Sequence, residues 1–189
     1  RIIEVVAAMP YEQFLDDRLF QPLGMTDTTF WPGREQAGRL AKAYKAAADH
    51  QTLEETPIDQ LRYPLTDRAE RFPMPAGGLF STAHDLARFY RMLLCGGQLD
   101  GRRYLSEEAV KTMTRRQTPP EIQESYGFGF SIGDGTFGHA GAFSTNTIAD
   151  TRHGLILVWL VQHASFPGEG DKAQGVFMKT AIDTFTPKE

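Results

Sequence analysis

Two hydrophobic periods divide the chain, and the change falls near residue 126. Before it, apolar positions recur at three- and four-residue intervals, the period of a helix with one buried face. Tyr11, Phe14, Leu15 and Leu19 share one side of a segment that opens after Pro10 and is predicted to stop at Pro22 and Gly24. Arg1 to Ala8 reads as a helix already in progress with no cap before it, which points to a fragment. The best-marked helix follows Thr82. Leu86, Phe89, Tyr90, Leu93 and Leu94 recur at helical spacing, and Gly96-Gly97 ends the run. Thr82 and Asp85 have the spacing of a capping box, with Thr82 capping and Asp85 expected to reach back. Ser106 opens another helix, predicted to end near Arg116 ahead of Pro119-Pro120. Between Arg34 and Pro75 the pattern is poor, and Pro57, Pro64, Pro73 and Pro75 predict mainly loop. A connection that long reads as a lid or wall over a site. Within it, Ala41 to Ala47 has helical propensity but no apolar stripe.

From Tyr126 the period becomes two. Tyr126, Phe128 and Phe130 alternate with Gly127, Gly129 and Ser131, predicting a strand with one apolar face. Gly133-Asp134-Gly135 predicts a turn, and Thr136 to Ala140 extends again. Thr145 to Ala149 and Leu155 to Gln162 make two more strands around a hairpin loop at Asp150 to Gly154. Asp171 to Phe185 reads as a closing helix with Phe177, Ala181 and Phe185 in register. The expected architecture is α+β, an antiparallel sheet packed with helices. One domain spans 1–189, helical and loop over 1–125, then antiparallel strands plus a C-terminal helix over 126–189.

Composition then removes several classes of function. The net charge is −4 and no basic stripe is present, so nucleic acid is not an expected partner. Arg115-Arg116 reads as a solvated helix end. Cys95 is the single cysteine, which excludes an internal disulfide and a thiolate metal cluster. Its neighbours Met92-Leu93-Leu94 predict a buried structural thiol. The five histidines lack zinc-site spacing, and neither metal nor cofactor is expected. The longest apolar run, around Leu155 to Val161, is far short of a membrane span.

Candidate chemistry centres on Phe137-Gly138-His139-Ala140-Gly141-Ala142. Gly138 and Gly141 leave the backbone bare beside an ionisable ring, so a ligand or another chain could come close. Spacing alone leaves two readings open: a half-buried strand histidine beside turn glycines, or a site. Gly129-Phe130-Ser131-Ile132-Gly133 matches a nucleophile elbow, with Asp150 and His163 completing the order on paper. That motif needs a helix after the serine, and here a strand is predicted. Asp150 with His153 is explained by loop chemistry. His84 reads as surface, and Ser144-Thr145-Asn146 as strand lead-in. No Ser-x-x-Lys and no Tyr-x-Asn occurs in the chain.

Taken together, several stretches resemble the serine β-lactamase and penicillin-binding-protein superfamily, closest to class C β-lactamase-like esterases. They are Ile2 to Val6 with Pro10 to Leu15, Phe20 to Thr28, Pro75 to Phe89, and Tyr126 to Phe130 followed by Gly138-His139-Ala140-Gly141. The resemblance also implies a short extended segment at Leu40 to Tyr44, against its helical propensity. It implies an acyl-transfer hydrolase working through an acyl-enzyme on a small-molecule ester, amide or β-lactam. The nucleophile of Ser-x-x-Lys and the Tyr-x-Asn group would lie upstream, in the remaining N-terminal part of the same domain. His139-Ala140-Gly141 then corresponds to the third motif, with His139 lining the pocket. Gly141 would let the strand approach the substrate, and the Ala142 backbone N–H would be one of two oxyanion donors. A histidine where many lactamases carry lysine tilts the expectation towards ester or peptide substrates. The chain alone is expected to be inactive, and a non-catalytic binding module with the same fold is the alternative. Compartment is not written in the chain; the resemblance leaves an exported or periplasmic setting as an expectation.

Overall fold

The computed structural model describes residues 1–58, 64–65 and 67–186, and the chain divides into two compact units. The first comprises Arg1–Lys42 and Pro57–Phe89, the second Ala43–Thr56 and Tyr90–Glu189. Part of the loop expected over 34–75, at 59–63 and 66, lies outside the described residues.

In the first unit, α1 (Ile2–Ala7) ends on Ala8 in the left-handed region. Helix α2 (Tyr11–Leu15) then runs through a π-helical turn, Asp16–Phe20, into α3 (Gln21–Leu23). Pro22 therefore does not stop the helix where the sequence predicted. A proline lacks the N–H of an α-turn and its ring crowds the carbonyl one turn back. The wider π turn just before it relieves both, with the Gln21 N–H reaching the Asp16 carbonyl five residues back. Gly24, at φ 67°, ends the helix. Its N–H bonds the Gln21 carbonyl while the Met25 N–H bonds that of Phe20, closing a Schellman pair. Phe20, Leu23, Met25 and Phe30 form the buried core beneath it. A four-residue helix, α4 (Arg34–Ala37), lies in the stretch predicted as loop.

Helix α5 (Ala83–Leu94) begins in the first unit and ends in the second. Thr82 caps it as expected, its Oγ1 accepting from the Asp85 N–H at 3.2 Å. Asp85 does not reach back. Its buried carboxylate turns to the Asp27 N–H and the Thr28 hydroxyl, both 2.8 Å away. The apolar stripe buries Tyr90, Met92 and Leu93, each of the order of 1.5–3 kcal/mol for such side chains. Cys95 is exposed, not buried. It sits four residues after exposed Arg91, which puts it on the polar side of the helix end.

The second unit holds two small hairpins and a four-stranded sheet. Strands β1 (Tyr44–Ala46) and β2 (Leu53–Glu55) pair antiparallel, so the chain is extended here against its helical propensity. Tyr44 explains why, since its N–H and carbonyl bond Gln162 and Ala164 beyond the last sheet strand. Strands β3 (Gln98–Leu99) and β4 (Arg102–Arg103) turn on Asp100-Gly101, both at positive φ. Helix α6 (Glu107–Met113) starts where the sequence predicts, with Ser106 accepting from the Ala109 N–H, and stops three residues short of Arg116.

The sheet runs β5 (Ser131–Gly133), β6 (Thr136–Ala140), β7 (Asn146–Asp150) and β8 (Leu155–Trp159), each antiparallel to the next. Register puts Phe137, Ala149 and Ile156 on one face and Gly138, Ile148 and Leu157 on the other. Tyr90 of α5 stacks on Phe137 at 6.0 Å, and Phe130 meets both rings edge-on. Helix α7 (Ala173–Phe185) covers the opposite face, where Phe177 lies 5.3 Å from Trp159. Phe185 is exposed and drops out of the predicted stripe.

The strand predicted at Tyr126 to Phe130 is a reversal. Gly129 takes φ 87°, the Gly127 N–H bonds the Phe130 carbonyl, and Tyr126 bridges Ser131. Phe130 is buried while Phe128 is exposed, so the alternating apolar face does not form. Among the described residues no helix is long and apolar enough to cross a membrane.

Candidate active site

Strand β6 carries the candidate motif to the end of the sheet. Phe137 anchors its buried start, and two residues later His139 emerges exposed on the same face. The β6–β7 connection turns over Gly141 to Thr145. The Gly141 N–H bonds the Thr145 carbonyl at 2.7 Å and the Ser144 N–H that of Gly141 at 3.1 Å. Ser144 takes φ 60°, a left-handed position that usually favours glycine or asparagine. Its hydroxyl donates to the His163 carbonyl, and the His163 N–H returns a bond to Phe143. Those two bonds fix the turn.

Both ring nitrogens of His139 have partners. Nε2 lies 3.1 Å from the Tyr126 hydroxyl and Nδ1 lies 2.6 Å from the Ala140 carbonyl oxygen. The Tyr126 and His139 rings meet edge-on at 5.8 Å. Beneath them burial pushes the Tyr90 phenol up to about 12, while a backbone hydrogen bond from His139 pulls the other way. The two glycines have structural reasons of their own. A Cβ on Gly138 would lie 2.1 Å from the Thr147 carbonyl oxygen, and one on Gly141 2.3 Å from the Thr145 hydroxyl. Ala142 is exposed at the tip, and among the described residues no acceptor meets its N–H.

The other sequence candidates are not gathered around Ser131. That serine opens β5, exposed, and a strand follows it where an elbow needs a helix. Asp150 spends its carboxylate on the β7–β8 turn, accepting from Arg152, from the His153 N–H and from the His153 ring. His163 stacks on Phe166, and its Nδ1 meets the Ser165 carbonyl at 2.6 Å. His84 is exposed, as expected of a first-turn residue. Among the described residues no group of three or more His, Cys, Asp or Glu side chains is arranged to hold a metal. Two clefts lie elsewhere. One of about 210 Å³ sits among Leu93, Val110 and Phe137, another of about 440 Å³ among Phe20, Phe30 and Trp31. Neither is lined by His139. Tyr126 is the site neighbour that sequence spacing missed, because the period-two reading placed it in a strand with its ring on an apolar face.

The beta-lactamase family profile matches residues 1–176. The chain belongs to the beta-lactamase family. Among curated relatives, this beta-lactamase-family chain is 34% identical to Protein Rv1367c of Mycobacterium tuberculosis, covering 86% of the chain and 46% of that protein. It is 32% identical to penicillin-binding protein 4 of Amycolatopsis lactamdurans, covering 75% of the chain and 38% of that protein. The chain thus spans less than half the length of these relatives. Its fold is similar to a simvastatin synthase (LovD) variant from Aspergillus terreus, with a TM-score of 0.77 at 19% identity over 96% of the chain and 51% of that one. It is also similar to EstCE1, a hydrolase with promiscuous acyltransferase activity, with a TM-score of 0.71 at 21% identity over 86% of the chain and 48% of that one. An α+β, beta-lactamase-type fold is the common architecture.

Proposed function

We propose that this chain supplies one wall and one oxyanion donor of a serine hydrolase that acts through an acyl-enzyme. One observation carries the reading: His139 and the Ala142 N–H are exposed together at the end of β6, and the N–H has no acceptor among the described residues. A backbone donor there would meet negative charge as it develops on an acyl oxygen, a contact worth about 3 kcal/mol in the transition state. Gly141 lets the turn close on Thr145, whose hydroxyl would lie 2.3 Å from a Cβ there, and so fixes the backbone that carries the donor. The nucleophile of Ser-x-x-Lys and the Tyr-x-Asn group belong to an upstream part of the same domain. That part is also the proposed partner of α1, whose Ile2, Val5 and Val6 are exposed. The substrate is a small ester, amide or β-lactam, with histidine at the third motif favouring an ester or peptide.

The test compares the 189-residue chain with a longer protein that includes the upstream half, on a chromogenic short-chain ester and a chromogenic lactam. Turnover by the longer protein and none by the chain is the expected result. Turnover by the chain, abolished by Ser131→Ala, would overturn it. A longer protein that lacks both upstream motifs and binds such substrates without turnover would be the non-catalytic module instead.

A further inference from the structure

Tyr126 is a half-buried residue on an unusually constrained backbone. Its N–H donates to the Thr118 hydroxyl at 3.2 Å, and its carbonyl accepts from the N–H groups of Gln117 and Thr118 at 2.6 and 3.2 Å. The next two residues are held as firmly. Gly127 bonds Phe130, and Phe128 donates to the Met113 carbonyl at the end of α6. No other residue fits at Gly127, because a Cβ there would lie 2.2 Å from the Met113 oxygen. Ile132 N–H bonds Ser125 on the other side of the reversal. None of these bonds buries the Tyr126 ring. They aim it, and its hydroxyl ends on His139 Nε2.

The partners of the ring decide its tautomer. The Ala140 carbonyl oxygen can only accept, so Nδ1, 2.6 Å away, must carry the hydrogen. In the neutral ring Nε2 is then an acceptor, and the Tyr126 hydroxyl donates to it. We infer that Tyr126, together with the Ala140 carbonyl, holds His139 in its Nδ1–H tautomer, so that the Tyr126 oxygen, and not an imidazole nitrogen, faces a substrate. The inference rests on the reading of His139 as a pocket residue. With both nitrogens occupied, the neutral imidazole takes no proton from a substrate or a nucleophile. Its part is to hold the tyrosine hydrogen inward and leave the oxygen lone pairs turned outward, as an acceptor for a substrate N–H or O–H.

The ring nitrogens can be observed directly by two-bond proton–nitrogen correlation on the nitrogen-labelled chain in alkaline buffer. The expected result is a dominant Nδ1–H form of His139, shifting by several-fold towards Nε2–H in Tyr126→Phe. A dominant Nε2–H form in the unaltered chain overturns the inference without need of any variant. So does a tautomer ratio that Tyr126→Phe leaves unchanged. A kinetic arm separates this from the functional reading. In the longer protein, Tyr126→Phe is expected to lower kcat for an ester about tenfold with little change in KM, the size of one lost hydrogen bond. A tautomer that shifts with no change in kcat leaves the positioning in place and removes His139 from the chemistry.

Discussion

The Asp150 carboxylate and the His153 ring close the β7–β8 turn, with Oδ2 2.7 Å from Nδ1. The second oxygen accepts the backbone N–H groups of Arg152 and His153 at 2.9 and 3.1 Å. Burial opposes the charge on Asp150, but the His153 ring and the two N–H groups outweigh it and hold the carboxyl below its ordinary value. A carboxylate depressed in the folded state stabilises the fold fully above its unfolded value and loses that contribution as pH falls through the folded one. Asp150→Asn is therefore expected to cost about 1.5–3 kcal/mol at neutral pH, the range for hydrogen bonds to a charged group. Urea unfolding of both proteins from neutral to strongly acid pH checks this, and the gap should narrow only at the acid end. A gap independent of pH would show that the charge contributes nothing.

Asp85 does the same work in the first unit with less access to water. It is 1% exposed, and one oxygen takes both the Asp27 N–H and the Thr28 hydroxyl, while Ser81 meets Thr28 at 2.8 Å. Asp85→Ala would strand two donors in the interior, at about 1–3 kcal/mol for each unsatisfied group. Thr28→Val removes one of those donors together with its bonds to Asp85 and Ser81, leaves the Asp27 N–H paired, and should cost distinctly less. Chemical unfolding of the two variants gives the order, and a reversed order would mean the carboxylate is not the centre of the cluster.

Elements with strong local spacing were legible in the sequence. Helix α5, the helix start at Ser106, strands β6, β7 and β8 and the Asp150–Gly154 loop follow from periodicity and turn chemistry, whereas β5 begins where the predicted strand was to end. What escaped was decided by contacts distant in sequence. Tyr44 is extended because Gln162 and Ala164 bond to it, which no local propensity at Ala41 to Ala47 could reveal. Pro22 was misread because a proline can stay in a helix when a π turn precedes it. The Asp100-Gly101 hairpin was missed although an Asp-Gly pair is a strong local signal. At the site, His139-Ala140-Gly141 stood out on its glycines, while Tyr126 was hidden by an alternation that Gly129 breaks at φ 87°.

Two glycines separate steric need from backbone strain. Gly138 would place a Cβ 2.1 Å from a β7 carbonyl oxygen, and a rigid backbone atom cannot give way. Gly129 meets nothing within 4 Å but holds φ 87°. Gly138→Ala is expected to cost about 1–3 kcal/mol or more through displaced backbone. Gly129→Ala should cost about 1 kcal/mol, the conformational penalty alone. Hydrogen exchange distinguishes them further. The first variant should expose amides of β6 and β7, whereas the second should leave that ladder protected.

The functional reading makes its sharpest demand on His139 and Ser131 together. Two serine-based schemes are available on paper, and they predict opposite outcomes. If the nucleophile lies upstream and β6 forms the far wall, His139→Ala in the longer protein should lower the acylation rate by about tenfold, because the Tyr126 hydroxyl loses the acceptor that orients it. Ser131→Ala should leave that rate within about twofold, because a strand follows it and Asp150 and His163 are committed elsewhere. Stopped-flow measurement of the acylation burst, with circular dichroism to show that each variant folds, reads both effects on one substrate. A rate that Ser131→Ala abolishes and His139→Ala leaves intact would move the chemistry to β5 and end the reading of β6 as the oxyanion strand.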